Sequence, residues 1–355
     1  MIRLKDIAQS AGVSVMTVSK VLRDAPDISR ETKAKIKQLA RQMGYVPNFA
    51  AQSLRTRTSR LLGMVIPSSA NPMFSRVILA IEEQAHEMGL ELIVAHTLNS
   101  EEREEAVIQR LLARRVDGLF ISPVYRLRPE APVYATLLSR GVPTVILGHG
   151  APFCRQFANV ETDDIQASFA ATQHLIQLGH RRIAFFAGPH AAPWAKERFE
   201  GYRRALRDAD MEVDDNLVFQ AGGTIEDGAK TALQFVNESA RATAIQAVND
   251  SVAIGCASTF LDQGIRIPED LSLMGYGNIL TSEYFRVPLT TVRQPKFALG
   301  VAAMESMKKL LGGERPPNKR LRAELILRRS VAAVSTTAQI PTVFPAPSPT
   351  NRAGR

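Results

Sequence analysis

Basic charge is crowded into one end of this chain. Residues 1–60 carry 12 Lys and Arg against 4 Asp and Glu, a net +8 of the formal +9. The other 295 residues hold 32 basic and 31 acidic groups and are nearly neutral. Like charges keep to surfaces, so this segment reads as a small separate unit with a positive face, the electrostatic footprint of a nucleic-acid binder. The apolar pattern gives that unit a shape. Leu4, Ile7, Ala8 and Ala11 recur at helical spacing, and Gly12 then breaks the helix. Val13 is placed to plug the gap between two helices, and Ser14 is a good N-cap for the second, whose inner face is Val18, Val21 and Leu22. A third helix fits Ser29 to Met43, with Ile36, Leu39, Ala40 and Met43 inward. The pattern predicts an all-α helix-turn-helix headpiece over residues 1–46.

With its apolar face spoken for, the second helix leaves Val15, Met16, Ser19 and Lys20 outward as candidates for reading base edges. Thr17 falls to a phosphate contact or to local packing. Residues 47–60 follow as a hinge helix and linker. Pro47 and Asn48 start a helix that has room for about two turns before Thr56-Arg57-Thr58-Ser59, too short to be stable alone. The segment is either a plain linker or a hinge that orders on DNA, with Leu54 as an apolar wedge for the minor groove.

Leu4-Lys-Asp-Ile-Ala8, Ala11-Gly-Val-Ser14, Thr17-Val-Ser19, Gly44-Tyr45, Pro47-Asn48 and Ala51-x-x-Leu54 together resemble the LacI/GalR family of bacterial transcription regulators. The resemblance continues through Gly179-His-Arg-Arg-Ile183, Ala187-Gly-Pro189, Asn249-Asp250, Pro268-x-Asp-Leu-Ser-x-x-Gly-Tyr276 and Pro288-Leu-Thr-Thr-Val292, and so reaches Ser330. It implies that Lys5, Ser14, Asn48 and Ala51 join the DNA-facing set. It also implies a core with the fold of the periplasmic sugar-binding proteins, whose chain crosses three times between two lobes.

The residues beyond 60 support an α/β core on their own pattern. Leu62–Ile66, Glu91–Ala95, Gly118–Ser122 and Thr144–Leu147 read as strands, separated by amphipathic stretches at Phe74–Met88, Glu101–Arg114 and Glu130–Arg140. A second series has strands at Ile183–Ala187, Leu217–Gln220, Ala244–Val248 and Leu271–Gly275, with helices near Ser168–Leu178, Lys196–Ala209, Ile225–Ser239 and Val252–Gln263. Such alternation predicts parallel sheets covered on both faces, and the number of units calls for two lobes. Pro295–Leu311 and Leu325–Leu327 return to complete them. The core is expected at 61–332, with a first lobe of 61–158 plus 293–320 and a second of 159–290 plus 321–332. Residues 333–355 are rich in proline, lack periodicity and read as a disordered tail. No apolar heptads appear there for a tetramerising helix, so a homodimer is the expected assembly.

Several classes are disfavoured. Cys154 and Cys256 are the only cysteines, too few for a disulfide framework or a CxxC metal site, and fit reduced cytosolic thiols. No HExxH, Walker loop, GxGxxG or GxSxG is present, so neither catalytic residues, a cofactor nor a metal is expected. Gly148-His-Gly150 follows a strand and reads as a turn; His174 and His180 flank a helix end, where capping or packing is expected. No membrane-spanning run or secretory h-region occurs, which favours the cytoplasm over an exported sugar receptor lacking DNA function.

Ligands of open α/β sheets sit beyond the carboxyl ends of the strands, here the cleft between lobes. The resemblance puts Asn71, Phe74, Arg198, Asn249 and Asp250 there. Phe74 either stacks on a sugar or packs its helix; Asp250 either binds ligand or caps the next helix. Arg198 offers a fork of donors for hydroxyls or a carboxylate, or else a surface ion pair. Trp194 is a stacking platform or a lid. Where the family resemblance implies a ligand-binding aspartate after Tyr276, Gly277 stands instead, with Asn278 next to it as a substitute. The expected effector is a small polar metabolite, most often a sugar or sugar derivative in such proteins.

Overall fold

Three helices make the headpiece: α1 (Leu4–Ala11), α2 (Val15–Leu22) and α3 (Arg30–Gln42). The computed structural model describes residues 2–45 and 58–334. Each helix end has a local cause. Gly12, at φ +66°, closes α1 in the left-handed conformation that glycine adopts without penalty, and Ser14 and Ser29 cap α2 and α3. Ile7, Ala8, Val18, Val21, Ile36 and Ala40 are buried together, one stripe from each helix. The expected hinge residues Asn48, Ala51 and Leu54, and most of the expected tail, lie outside the described residues.

The core has two six-stranded sheets. The first runs β1 (Leu61–Ile66), β2 (Glu91–His96), β3 (Gly118–Ile121), β4 (Thr144–Leu147), β5 (Ala158–Thr162) and β11 (Lys319–Leu321) in the spatial order β11-β5-β4-β3-β1-β2. The second uses β6 (Ile183–Ala187), β7 (Val218–Gln220), β8 (Ala244–Ala247), β9 (Ser272–Gly277), β10 (Thr290–Arg293) and β12 (Glu324–Ile326) in the order β12-β10-β9-β8-β6-β7. The strand pairings are parallel, apart from the antiparallel β10–β12 pair. Leu62, Met64, Val65 and Ile66 are all buried, as expected of a strand covered on both faces.

The first lobe's helices are α4 (Pro72–Glu87), α5 (Glu101–Ala113), α6 (Pro132–Ser139) and α12 (Lys296–Leu311). The second lobe's are α7 (Asp164–Gln177), α8 (Pro193–Asp208), α9 (Ile225–Asn237), α10 (Asp250–Asp262) and the short α11 (Leu280–Tyr284). α9 and α10 approach until their backbones touch. A Cβ on Gly255 would lie 2.0 Å from the Ile225 carbonyl oxygen, and one on Gly228 would lie 2.2 Å from that of Val252.

The lobe boundaries differ from those expected. β5 belongs to the first sheet, so the first crossing falls after Thr162 rather than at 158. Thr290–Arg293 pairs with β9 and belongs to the second sheet, so the chain returns only at Gln294. β11 and β12 then sit on opposite sheets, which makes the third crossing. β5 hid from the pattern because Ala-Asn-Val-Glu-Thr holds one strongly apolar residue, buried Val160.

Candidate DNA surface and interlobe site

On the headpiece, α2 presents the expected side chains. Ser14 Oγ accepts the Thr17 N–H at 3.0 Å, so both hold the start of the helix; Val15 and Met16 are exposed beside them. Lys5 is exposed on α1. Ser19 is engaged by Arg23, whose Nε donates to the Ser19 carbonyl at 2.9 Å. Lys20 forms an ion pair with Asp27, while Lys33 and Lys37 share Asp24 at 3.6 and 2.9 Å. Arg23 was not singled out by the pattern, although it lies one turn beyond Ser19 on the same face. Exposed apolar tips, hydroxyls and cations on one helix suit a groove that offers methyls, acceptors and phosphates.

In the core, side chains from both lobes meet around His149, in the loop after β4. Its Nε2 lies 3.1 Å from Glu197 on α8 and 3.5 Å from Asp164 at the start of α7. Arg320 of β11 pairs with the same Glu197, and its Nε lies 3.5 Å from Glu161 and 3.6 Å from Asp163. Burial pulls the His149 imidazole down, but the Glu197 hydrogen bond and the Asp164, Glu197 and Glu161 charges outweigh it, so its pKa is raised. Burial also raises the Glu161 carboxyl, whereas at Glu197 the pairing with His149 and Arg320 overcomes burial and lowers the pKa. Gly148-His-Gly150 is therefore a turn that also carries a bridging imidazole. Tyr125, after β3, adds an apolar bridge: its hydroxyl donates to the His149 carbonyl at 2.9 Å, and its ring packs against apolar clusters of both lobes.

A cavity of about 270 Å³ opens beside this network. His149, Gly150, Arg155, Phe157, Asn159, Glu161 and Asn318 line it from the first lobe, and Pro193 and Glu197 from the second. None of the effector residues expected from sequence is among them.

Those expected residues are committed to internal contacts. Arg198 is buried; its Nε lies 3.2 Å from Asp164 and its Nη1 donates to the Val248 carbonyl at 2.7 Å. Its guanidinium carbon stands 3.7 Å from the Tyr276 ring centre and 4.8 Å from that of Trp194, so the exposed ion pair weighed for it is not what forms. Phe74 is buried with Val77 and Ile81 on the inner stripe of α4, the packing weighed for it. Asn71 is exposed and caps α4, accepting the Met73 N–H at 3.0 Å. The cap of α10 is Asn249, which accepts the Val252 N–H at 2.8 Å and donates to the Gly223 carbonyl at 3.0 Å. Asp250 is the first residue inside that helix and not its cap, which corrects the capping role considered for it. It accepts from Ile279 N–H at 2.9 Å, Ser282 Oγ at 2.7 Å and Thr291 Oγ1 at 2.5 Å. Gly277 sits at φ +134°, a backbone that side chains rarely adopt. Asn278, the substitute weighed for that aspartate, is half-buried and accepts a 2.9 Å bond from Arg328 at its Oδ1.

His180 links Thr243 Oγ1 at 2.9 Å to the Ala332 carbonyl at 3.0 Å. Among the described residues, no group of three or more His, Cys, Asp and Glu could hold a metal, and no helix is long and apolar enough to cross a membrane.

Residues 3–48 match the model of bacterial regulatory proteins of the lacI family, and residues 172–331 match that of a periplasmic binding protein-like domain. The chain is 34% identical over 308 residues to the HTH-type transcriptional repressor PurR of Vibrio atlanticus (strain LGP32), covering 86% of this chain and 90% of that one. It superposes on a lac repressor dimer bound to operator and the anti-inducer ONPF with a TM-score of 0.83 at 27% identity, over 94% of this chain and 99% of that one. The cellobiose complex of the transcriptional regulator CelR gives a TM-score of 0.71 at 28% identity, over 93% and 100%. With the helix-turn-helix and the two-lobed core already described, these likenesses have one reading: the chain belongs to the LacI family, a DNA-binding transcriptional repressor with a ligand-binding core, and is not an enzyme.

Proposed function

We propose that the protein acts in the cytoplasm as a homodimer on a pseudo-palindromic operator, and that a small polar effector bound between its lobes sets its operator affinity. Val15, Met16, Ser19 and Lys20 face base edges in the major groove, with Lys5, Ser14 and Thr17 at flanking backbone positions. Asn48, Ala51 and Leu54 contact the minor groove, where Leu54 wedges between base steps at the operator's centre. α11 leaves Leu280 and Tyr284 strongly exposed on the core surface, apolar side chains that a second copy would cover. The lac repressor to which the chain is similar is a dimer on its operator, which supports the same assembly here.

One observation carries the effector reading: side chains of both lobes converge on a cavity through His149, Glu161, Glu197 and Arg320. A ligand there bears on both lobes and so biases their spacing, on which the two headpieces depend. A sugar or sugar derivative is the proposed class, supported by the cellobiose held by CelR. Asn71, Phe74, Trp194, Arg198, Asn249, Asp250 and Asn278 remain the proposed effector contacts in the same cleft. Nucleobases are the competing class, motivated by the relatives named PurR and by the flat Trp194 ring.

The test is selection of duplexes from a random-sequence pool by the full-length protein, with retained sequences titrated at several salt concentrations. Inverted repeats whose binding weakens steeply with salt support the proposal. Recovery of unrelated sequences, each bound equally well, contradicts it.

A further inference from the structure

We infer that the edge of the first lobe from which its strands start is a second DNA-contacting surface, a basic rim that holds phosphates of the duplex bound by the headpiece.

This edge lies where helices of the first lobe end and its strands begin. The Glu91 N–H donates to the Arg60 carbonyl at 2.8 Å, the Asp117 N–H to that of Leu61 at 2.7 Å, and the Leu119 N–H to that of Pro143 at 2.8 Å. The segments leading into β1, β2, β3 and β4 therefore stand side by side. Arg60, Arg114, Arg115 and Arg140 are exposed on three of them, and Arg110 is exposed on the last turn of α5. α12 reaches the same edge, because a Cβ on Gly118 at the start of β3 would collide with Met307. Its last turn presents Lys308 and Lys309, and Arg315 follows in the loop, all exposed. α5 and α12 cover opposite faces of the sheet, so cations flank the edge from both sides.

The second lobe is an internal control. Its helices also end beside the starts of parallel strands, and helix dipoles favour cations at both edges alike. The comparison covers the last turn of each helix and the connection to the next strand, with Arg60 added for β1. The first lobe then has eight Lys and Arg against three Asp and Glu, and the second has six against ten. Dipoles do not account for opposite signs. Pairing differs too: among the described residues, none of the eight first-lobe cations is in an ion pair. In the second lobe Arg182 pairs with Asp214, Arg207 with Glu200, Arg266 with Asp270 and Arg286 with Asp262. Exposed cations gathered without counter-charges repel one another, and a polyanion relieves that repulsion.

DNA is the polyanion that the observations favour. The inference rests on operator binding by the headpiece, whose chain enters the core at Arg60, so a duplex held there is tethered to this edge. Eight charges spread along both sides of a sheet edge suit a row of phosphates better than one small anion. Such contacts add affinity and salt dependence without reading sequence.

The experiment uses full-length protein and its selected operator, placed centrally in a duplex extended on each side by about two helical turns. Arg114→Gln with Arg115→Gln, and Lys308→Gln with Lys309→Gln, each remove two charges from the rim. Arg181→Gln with Arg241→Gln removes the same charge from the second lobe's edge, at positions outside the ion pairs named above. Fluorescence anisotropy over a salt series gives affinity and its salt slope. Each first-lobe double is expected to bind about tenfold more weakly and to flatten the logarithmic salt slope by about 1 to 2, with base preference unchanged. The second-lobe double should match wild type. Melting temperatures of all three should stay near wild type, since exposed side chains outside ion pairs are being shortened.

Wild-type affinity and slope in both first-lobe doubles would overturn the inference and leave the rim to an acidic protein or to solvent. An equal loss in the second-lobe double would also overturn it, because net charge and not place would then be at work. If wild-type protein selects no operator, the proposed function falls as well. If it selects one and both first-lobe doubles bind it normally, only this surface falls.

Discussion

Asp250 shows how a single side chain can look like a ligand contact and act as a fastener. Its carboxylate ties the start of α10 to the β9–α11 turn and to β10 through Ile279 N–H, Ser282 and Thr291. Burial raises its pKa, and the three donors only partly offset that. Removing the acceptor strands three donors, each worth about 1–3 kcal/mol when left unpaired in a buried site, less whatever water re-enters. Asp250→Ala is expected to cost about 3 kcal/mol or more in urea unfolding, and Asp250→Asn clearly less. Equal stability of Asp250→Ala and wild type would show that the site is wet. The roles of Asn249 and Asp250 were not separable in sequence, because both residue types cap helices and one-residue shifts decide which does. Arg198 carries the same lesson: its spacing from Gly188-Pro189 was legible, but the Asp164 partner comes from 34 residues upstream.

At the scale of elements, α1, α2 and α3 were legible because each has its own cap, breaker and apolar stripe. So were the apolar strands β1, β3, β4, β6 and β8. β5 and β11 were not, since their pairing is dictated by neighbours and their side chains are mostly polar or charged. That loss mattered, because β5 and β11 carry Asn159, Glu161 and Arg320, and so most of the interlobe chemistry escaped the pattern. Phe74 was ambiguous for another reason: helix spacing alone does not tell which neighbour a face meets, and here it meets the first lobe's own core. α2 yields a two-sided prediction. Lys20→Ala should weaken selected-operator binding by about 1–3 kcal/mol. Asp27 competes with DNA for the same ammonium, so Asp27→Ala should strengthen binding severalfold. Fluorescence anisotropy at fixed salt measures both. Weaker binding by Asp27→Ala would mean that the pair orients Lys20 for DNA and does not restrain it.

At the scale of the whole molecule, the core is two lobes joined by three crossings and clasped by charged groups near them. The clasp has a pH window set by its members. His149 has a raised pKa when folded, so its stabilisation is fully present below its ordinary value of 6.5 and fades as pH rises through the raised value. Glu197 has a lowered pKa, so its share is present above its ordinary 4.5 and is lost as pH falls through the depressed value. His174 and His180, lowered by burial, act in the opposite sense to His149, and their cost appears as pH falls below 6.5. Melting temperature against pH should therefore decline on the alkaline side of neutrality in wild type, and His149→Gln should flatten that limb and also shrink the acid limb, because Glu197 loses one of the partners that lower its pKa. An unchanged alkaline limb would remove His149 from the clasp. Regulation by an effector requires coupling between core and headpiece. The direct measurement is the affinity of the full-length protein for its selected operator, titrated with and without a saturating ligand that raises the core's melting temperature. Control by the core predicts affinities that differ about 5- to 150-fold, with the ligand's own affinity changed by the same factor when DNA is bound. Identical operator affinity with the ligand bound and absent would contradict it.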